Sequence, residues 1–352
     1  MDMPLCGPTA FRYYRVPPQV LALYPAIVSG SSGVASRRIR KEKIIEDLLG
    51  LPLHRITNTR SQQAKTVLFK THVLAGELPF GTLQETDHGF DVATPAFTLF
   101  TMASCVSRVH LLMAAYEFCG SFAVFQPTRE AESRLQQTQQ QGVFPLGFGW
   151  QRVRDTQNNN TGLWKRDPLL TIEELQRFAN QLDGRHGSKK LRWAAEHITG
   201  VCASPFEVQA SILLGLPRRF GGQGLSVQNN YRIPLNDRAR ALYQHSCCYA
   251  DIYLEASGEH PAIDIECHGK SVHASEEAGI SDAERLAALE SMDIPVVPLT
   301  FKQLASECSF KAVKHLIEQK RHIKFQPKTE RQQRVEQDLR REVLIDWKTL
   351  GI

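Results

Sequence analysis

The sequence predicts a protein of mixed α/β (α+β) class in two parts. A C-terminal core in the order helix, strand, strand, helix, strand follows a mixed α+β N-terminal domain. Hydrophobic residues occupy 42% of the 352 positions and charged residues 22%, which is typical of a globular chain that buries a full core. Along the chain, segments with apolar residues at helical spacing alternate with short β-rich segments, and this alternation predicts the class.

Composition excludes several classes of protein. The most apolar stretch, 97–119, contains Arg108, His110 and Glu117, so the sequence predicts no membrane-spanning segment and no membrane partner. The first sixteen residues lack the basic and apolar regions of a secretory signal. Eight cysteines without a C-x-x-C pair indicate reduced thiols, and we expect a cytoplasmic protein. The net charge of +5 permits an anionic partner without requiring one.

The predicted N-terminal domain covers residues 1–125. A basic helix is expected over 36–49, and its lysines and arginines are either a solvated face or a DNA contact. Residues 54–92 read as short strands. Thr94 and the proline after it then open one long apolar helix, 95–119, in which we find no catalytic constellation.

Residues 126–168 are polar and of low complexity, with runs such as QQTQQQG and TQNNNTG. This composition predicts a surface insertion or linker between the two halves. The third region, 169–350, opens with two helices, of which the first begins at a capping box formed by Thr171 and Glu174.

The C-terminal core begins at Ser204, whose side chain is expected to cap a helix that has proline at its first position and Glu207 at its third. The segments YADIYLEA and PAIDIECHG then predict a β-hairpin. A helix capped by Ser281 and the strand IPVVPLT follow. The stretch 311–341 holds ten Lys/Arg against four Asp/Glu, so it is either a phosphate-tracking helix or an ordinary solvated one.

Chemistry-bearing side chains concentrate on this hairpin. Asp251 lies in its first strand and Glu266 near the end of the second, so the hairpin brings two carboxylates together. Oxygen ligands in this arrangement suit Mg²⁺, which activates water and neutralises charge at a scissile phosphate. Residues two apart in a strand share a face, so His268 and then Lys270 follow Glu266, with His273 further on.

Each of these side chains also has an ordinary structural interpretation. Glu266 can pair with Lys270 or Arg285, and the two histidines can be surface residues. Helix capping alone accounts for Glu207 as well as a metal-site role does. Asp282 and Arg285 can be a cap and a surface ion pair.

The residues quoted above resemble a known family. The run E-C-H-G-K-S-V-H, Glu266 to His273, resembles the E-x-x-G-x-x-H signature of the very-short-patch-repair-like branch of the PD-(D/E)XK endonucleases. Asp251 resembles the first acid of that family, and Asp282 with Arg285 resembles its D-x-x-R helix. Glu207 matches the acid on its first helix, and the likeness covers about residues 200–325.

The resemblance implies a restriction-endonuclease-like core with Mg²⁺, or alternatively Mn²⁺, held by Asp251 and Glu266. His268 stands where the family often has the E-x-K lysine, while Lys270 comes two residues later. His273 corresponds to the histidine of the second motif. In the N-terminal half, the run from LPLHRITNT through FDVATPAFTLFTMAS to YEFCGSF is similar to abortive-infection-type antitoxin regulators, which implies a bacterial setting and a cognate toxin or another defence-system protein as a partner.

Two functions follow as hypotheses. The first is a metal-dependent DNA endonuclease of a defence or repair type. The second is a catalytically inactive, nuclease-fold DNA-binding regulator, because the E-x-K lysine is replaced. In either case the residues expected to contact nucleic acid are those of the basic C-terminal helix: Lys311, Lys314, Lys320, Arg321 and Lys324.

Overall fold

The computed structural model describes residues 4–27, 41–63, 65–74, 76, 81–142, 149–182, 184–269 and 276–351. Helices and several small sheets make it a mixed α/β structure. The chain forms two compact units: unit 1 comprises Met1–Arg152, Gly162–Glu196 and Trp347–Ile352, and unit 2 comprises Val153–Thr161 and His197–Asp346. The sequence interpretation had three consecutive regions, whereas in the structure the last residues of the chain return to the N-terminal unit.

Several helices lie among the described residues up to Glu196. They are α1 (Gly7–Arg15), α2 (Pro18–Leu21), α3 (Pro95–Met102), α4 (Arg108–Cys119), α5 (Arg129–Gln140), α6 (Ile172–Gln181) and α7 (Ser188–Glu196). The strands are β1 (Leu53–Thr57), β2 (Phe69–Val73), β3 (Leu83–Glu85), β4 (Asp91–Ala93), β5 (Phe122–Val124), β6 (Gln151–Arg154) and β7 (Asn160–Lys165). β1 pairs with β2 in parallel, β3 pairs with β4 antiparallel, and a three-stranded sheet has the order β5-β7-β6. Among the described residues, no helix has both the length and the apolar character that crossing a membrane requires.

The single helix predicted over 95–119 is two helices in the structure. α3 ends at Met102, and Ser107 caps α4 by accepting a hydrogen bond from the backbone N–H of His110. Composition could not show this break, because both helices are buried on most sides and carry apolar residues almost continuously.

The segment 126–168, interpreted as an insertion or linker, contains regular structure in its described part. Thr128 caps α5, and the helix buries Leu135 on its apolar side. Trp164 in β7 is 1% exposed, and its indole N–H donates to the carbonyl of Phe125 at 2.9 Å. Burial of a few apolar side chains, such as Leu135 and Trp164, therefore stabilises regular structure in a segment whose average composition is polar.

Unit 2 is built around a four-stranded sheet. Its helices are α8 (Pro205–Gly215), α9 (Asp237–Tyr243), α10 (Glu276–Glu290), α11 (Phe301–Ala305), α12 (Glu307–Arg321) and α13 (Glu330–Val343). Its strands are β8 (Val227–Pro234), β9 (Cys247–Leu254), β10 (Ile263–His268) and β11 (Val296–Thr300), in the spatial order β11-β10-β9-β8. β10 and β11 are parallel and joined through α10, whereas the other neighbours are antiparallel.

The hairpin, the helix at Ser204 and the strand at 296–300 lie where the sequence predicted them. Strand β8 and helix α9 were not predicted. α10 begins at Glu276, so Ser281 is not its N-cap, and Asp282 lies within the helix with an exposed side chain. The expectation of a cap at this position was wrong, because a serine followed by acids also occurs on the solvated face of a helix.

A candidate carboxylate site on the four-stranded sheet

Asp251 and Glu266 lie on neighbouring antiparallel strands. Ile252 of β9 pairs with Ile265 of β10, and continuing this register by one residue places Asp251 opposite Glu266. Asp251 Oδ2 accepts a hydrogen bond from the backbone N–H of Cys267 at 2.8 Å. The Asp251 carboxylate is therefore held beside β10 by a main-chain donor.

Strand β9 is irregular at Asp251. Asn230, its counterpart on β8 in the same register, has a positive φ of 48°. Ala250 and Tyr253 belong to one apolar cluster, although strict alternation would place them on opposite faces. The positive φ of Asn230 marks this position as a place where the sheet departs from regular geometry.

Helix α8 contributes a third carboxylate, Glu207. Ser204 caps the helix by accepting from the Glu207 N–H, and the Glu207 carboxylate in turn accepts from the Ala203 N–H at 2.7 Å and the Ser204 hydroxyl at 2.8 Å. Burial, and then the charge of Asp251, raises the pKa of Glu207 to about 7. Glu207 is therefore both a capping residue and a member of the carboxylate cluster.

The three acids interact electrostatically. Burial, and then the charge of Glu266, raises the pKa of Asp251 to about 6. The charge of Glu266 also raises the pKa of Glu207, after burial and Asp251. The raised pKa values of Glu207 and Asp251 thus come first from burial and then from a neighbouring carboxylate. We call Glu207, Asp251 and Glu266 the carboxylate cluster.

The guanidinium of Arg285 in α10 contacts the carboxylate of Glu266. One guanidinium nitrogen donates to a Glu266 carboxylate oxygen, to Asp264 Oδ2 at 3.0 Å and to the Tyr249 carbonyl at 2.8 Å. Burial alone would lower the pKa of Arg285, but the hydrogen bond and charge of Glu266 outweigh it and raise the pKa. Burial and then the charge of Glu266 raise the pKa of Asp264 to about 9.

An open cleft of about 480 Å³ adjoins Arg285. Tyr243, His245 and Tyr249 supply aromatic surface to its wall, and Tyr249 is 53% exposed. A cationic guanidinium beside exposed rings is a combination that suits a phosphate next to a base.

The remaining predicted site residues are placed as follows. His268 is exposed at the end of β10, two residues after Glu266. Lys270 and His273 lie outside the described residues. Asp282 is exposed on α10 and makes none of the contacts found at Arg285.

The basic C-terminal helix differs from its predicted role at one residue. Arg321 is 9% exposed, and its guanidinium donates to the carbonyls of Leu254, Glu255 and Pro261, so its assignment as a nucleic-acid contact was wrong. Lys311 and Lys324 are exposed, whereas Lys314 and Lys320 are half-buried. Four lysines therefore remain as candidate phosphate contacts.

Sequence reasoning missed Asp264, which is fully buried and contacts Arg285. The signal was present in the run D-I-E, because alternation places Asp264 on the same side of β10 as Glu266. It was overlooked because a buried carboxylate in an apolar strand is uncommon.

Comparison of the chain with protein-family models, with curated proteins and with solved structures finds no match.

Proposed function

We propose that this protein is a metal-dependent DNA endonuclease that hydrolyses phosphodiester bonds at the carboxylate cluster. The observation that carries the proposal is the placement of Glu207, Asp251 and Glu266 on a helix and two paired strands, where burial and neighbouring carboxylate charge raise the pKa values of Glu207 and Asp251. Unit 2 contains the predicted helix, strand, strand, helix and strand in that order, with β8 and α9 between the first helix and the hairpin, and this sequence of elements supports the proposal.

The donor set suits Mg²⁺, with Mn²⁺ as the alternative ion. All three side chains present carboxylate oxygens, which are the ligands that hard divalent cations prefer. Asp251 and Glu266 would hold the ion, with Glu207 as a further acid beside them. A divalent ion bound there supplies a Lewis acid and activates water for attack on phosphorus.

The chain's own residues would orient the substrate. Arg285 lines the cleft and can donate to a phosphate oxygen if its hydrogen bond to Glu266 is released. The exposed ring of Tyr249 offers a stacking surface for a base. His268 lies near the end of β10, where an imidazole can accept or donate a proton. The lysines of α12 would track the DNA backbone.

One observation favours the second candidate, a catalytically inactive DNA-binding regulator with an antitoxin-like role. The Arg285 guanidinium already neutralises Glu266, and a histidine stands at the E-x-K lysine position. A regulator of this kind would bind DNA without a divalent ion, and its DNA affinity would survive Asp251→Ala.

Nicking of supercoiled plasmid by the full chain, with Mg²⁺ or Mn²⁺, tests the endonuclease. We expect nicking by the wild type, none with a chelator, and a loss of at least about 100-fold in Glu266→Ala and Asp251→Asn, since removal of single electrostatic groups costs this much. Glu259→Gln, an exposed acid on the same hairpin, is the matched control and should nick normally. Equal nicking by wild type and Glu266→Ala would remove the proposal. Metal-independent DNA binding that persists in Asp251→Ala, without nicking, would favour the regulator.

A further inference from the structure

Unit 1 contains a second cluster of metal-ligating side chains, unrelated to the carboxylate cluster. His54 lies on β1, His72 on β2, and Cys105 in the turn between α3 and α4. His54 pairs in register with Lys70, so His72 is two residues further along the neighbouring parallel strand and on the same face. One ligand atom from each of the three residues lies within 4.8 Å of the others.

The distances match the edges of a coordination tetrahedron. His54 Nδ1 is 3.0 Å from His72 Nε2 and 3.8 Å from Cys105 Sγ. Zinc–nitrogen bonds of about 2.0–2.1 Å and zinc–sulfur bonds of about 2.3 Å at tetrahedral angles require separations of about 3.3 Å and about 3.6 Å. Shifts of a few tenths of an ångström would convert the observed contacts into ligand bonds.

The surrounding backbone holds the three groups in place. The His54 N–H donates to Thr9 Oγ1, and the His54 carbonyl accepts from the Cys6 N–H, both at 2.9 Å. The Cys105 thiol lies 3.8 Å from the Thr101 carbonyl, while Thr101 Oγ1 accepts from the Gly7 N–H. These contacts fix the backbone of His54 and the position of the Cys105 thiol.

Gly7 leaves space beside the cluster. Its φ is +50°, a conformation that favours glycine, and a Cβ built there would lie 3.6 Å from His54 Nδ1. His54 is buried, whereas His72 and Cys105 are half-buried, so the cluster can be reached from solvent. Lys70 and Arg12 carry positive charge nearby, which a Cys105 thiolate would offset.

We propose that His54, His72 and Cys105 form a mononuclear site for a borderline transition-metal ion, with Zn²⁺ as the ion it takes. Two imidazoles and a thiolate are poor ligands for Mg²⁺ and good ones for zinc. Three protein ligands leave a fourth position for water or for an incoming ligand. The ion would join β1, β2 and the turn after α3, and so would stabilise unit 1 directly.

The test uses the full, untagged chain, grown with zinc, dialysed and analysed by mass spectrometry of its metals. We expect about one zinc per chain in the wild type, as in mononuclear sites. Cys105→Ser and His72→Asn should each lose it, while the exposed controls Cys308→Ser and His186→Asn should retain it. Cobalt substitution should give a thiolate-to-metal charge-transfer band that disappears in Cys105→Ser and persists in the control Cys308→Ser.

Two results would overturn the site: a wild type that remains free of zinc, or a Cys105→Ser protein that keeps its full zinc content. Where circular dichroism shows a misfolded variant, the metal-free wild type is titrated with zinc against a chromophoric chelator, and a dissociation constant weaker than about 1 μM, above that of specific sites, also overturns it. Asp251→Asn should lose nicking while keeping its zinc, so the endonuclease and the zinc site can fail separately.

Discussion

At the scale of single residues, ionising the buried acids of the carboxylate cluster lowers the stability of the folded protein. Glu207 is 8% exposed, and its pKa and that of Asp251 are raised because burial and like charge both disfavour ionisation. Strongly perturbed acids are typical of functional sites, where stability is given up for chemistry. Such a cluster should make the metal-free protein sensitive to pH.

The first prediction concerns this pH dependence. With folded pKa values of about 7 for Glu207 and about 6 for Asp251, the folded state holds more protons than the unfolded state, whose carboxylates titrate near about pH 4. Unfolding therefore releases protons from these two groups, and their contribution to the stability of the chelator-treated protein should fall as pH rises from about 4 to about 8. Thermal unfolding followed by circular dichroism across this range measures it.

Asp251→Asn should flatten this dependence. The amide carries no charge, so the variant should gain on the order of 1–3 kcal/mol relative to wild type at about pH 8, and little at about pH 4. Glu259→Gln should follow the wild-type curve, since that acid is exposed. Parallel curves for wild type and Asp251→Asn would show that repulsion in the cluster does not limit stability.

At the scale of elements, the β9–β10 hairpin is fixed from outside by helix α12. The Arg321 guanidinium in the last turn of α12 donates to the carbonyls of Leu254 and Glu255 at the end of β9, and of Pro261 just before β10. Arg321, one of the basic residues of the C-terminal region, thus holds the connection between β9 and β10 instead of facing solvent. The position of the carboxylate cluster depends on this hairpin.

Two neighbouring basic residues should therefore behave differently. Arg321→Ala removes the donor from three carbonyls and should destabilise unit 2 by about 2–4 kcal/mol, measured by urea unfolding. Lys320→Ala, at a half-buried position, should cost less than about 0.5 kcal/mol. If α12 contacts DNA, Lys320→Ala should also reduce the slope of log affinity against log salt by about 1. Equal stability of the two variants would contradict the structural role of Arg321.

Elements with local signals could be predicted from the sequence. Thr171 and Ser204 cap their helices as expected, because an N-cap is decided within four residues. The hairpin was also predicted, and with it the proximity of Asp251 and Glu266. The break between α3 and α4 could not be predicted, since tertiary burial favours apolar residues on both sides of it.

Contacts between distant elements left no signal in the sequence. Arg285 reaches Asp264 and Glu266 across 21 and 19 residues; the sequence offered Glu266 as one of its alternative partners but favoured a surface ion pair over a site role. The ligands His54 and Cys105 are 51 residues apart, without any recurring spacing that identifies zinc sites. Only the fold brings such groups together.

At the scale of the whole molecule, residues near the C-terminus pack inside unit 1, against residues from the first third of the chain. Trp347, in unit 1, is 4% exposed, and its indole N–H donates to Glu117 Oε2 at 2.6 Å. Glu117 is fully buried and pairs with Arg15, which also donates to the carbonyls of Trp347 and Leu350. A buried ion pair is sensitive to the loss of any partner, because an uncompensated charge then remains inside.

Trp347→Ala should therefore weaken unit 1, although the substitution lies near the C-terminus. Loss of the buried indole and of a donor to Glu117 should cost about 3–5 kcal/mol. Because a chain of two units need not unfold in one step, amide hydrogen exchange is the better measurement than a single melting curve. Protection should fall in α1 and α4, which carry Arg15 and Glu117, while β9 and β10 keep theirs. Lys348→Ala, at an exposed neighbour, should leave both sets unchanged. Equal loss of protection in β9 and β10 would show that the two units do not unfold separately, contrary to this division of the chain.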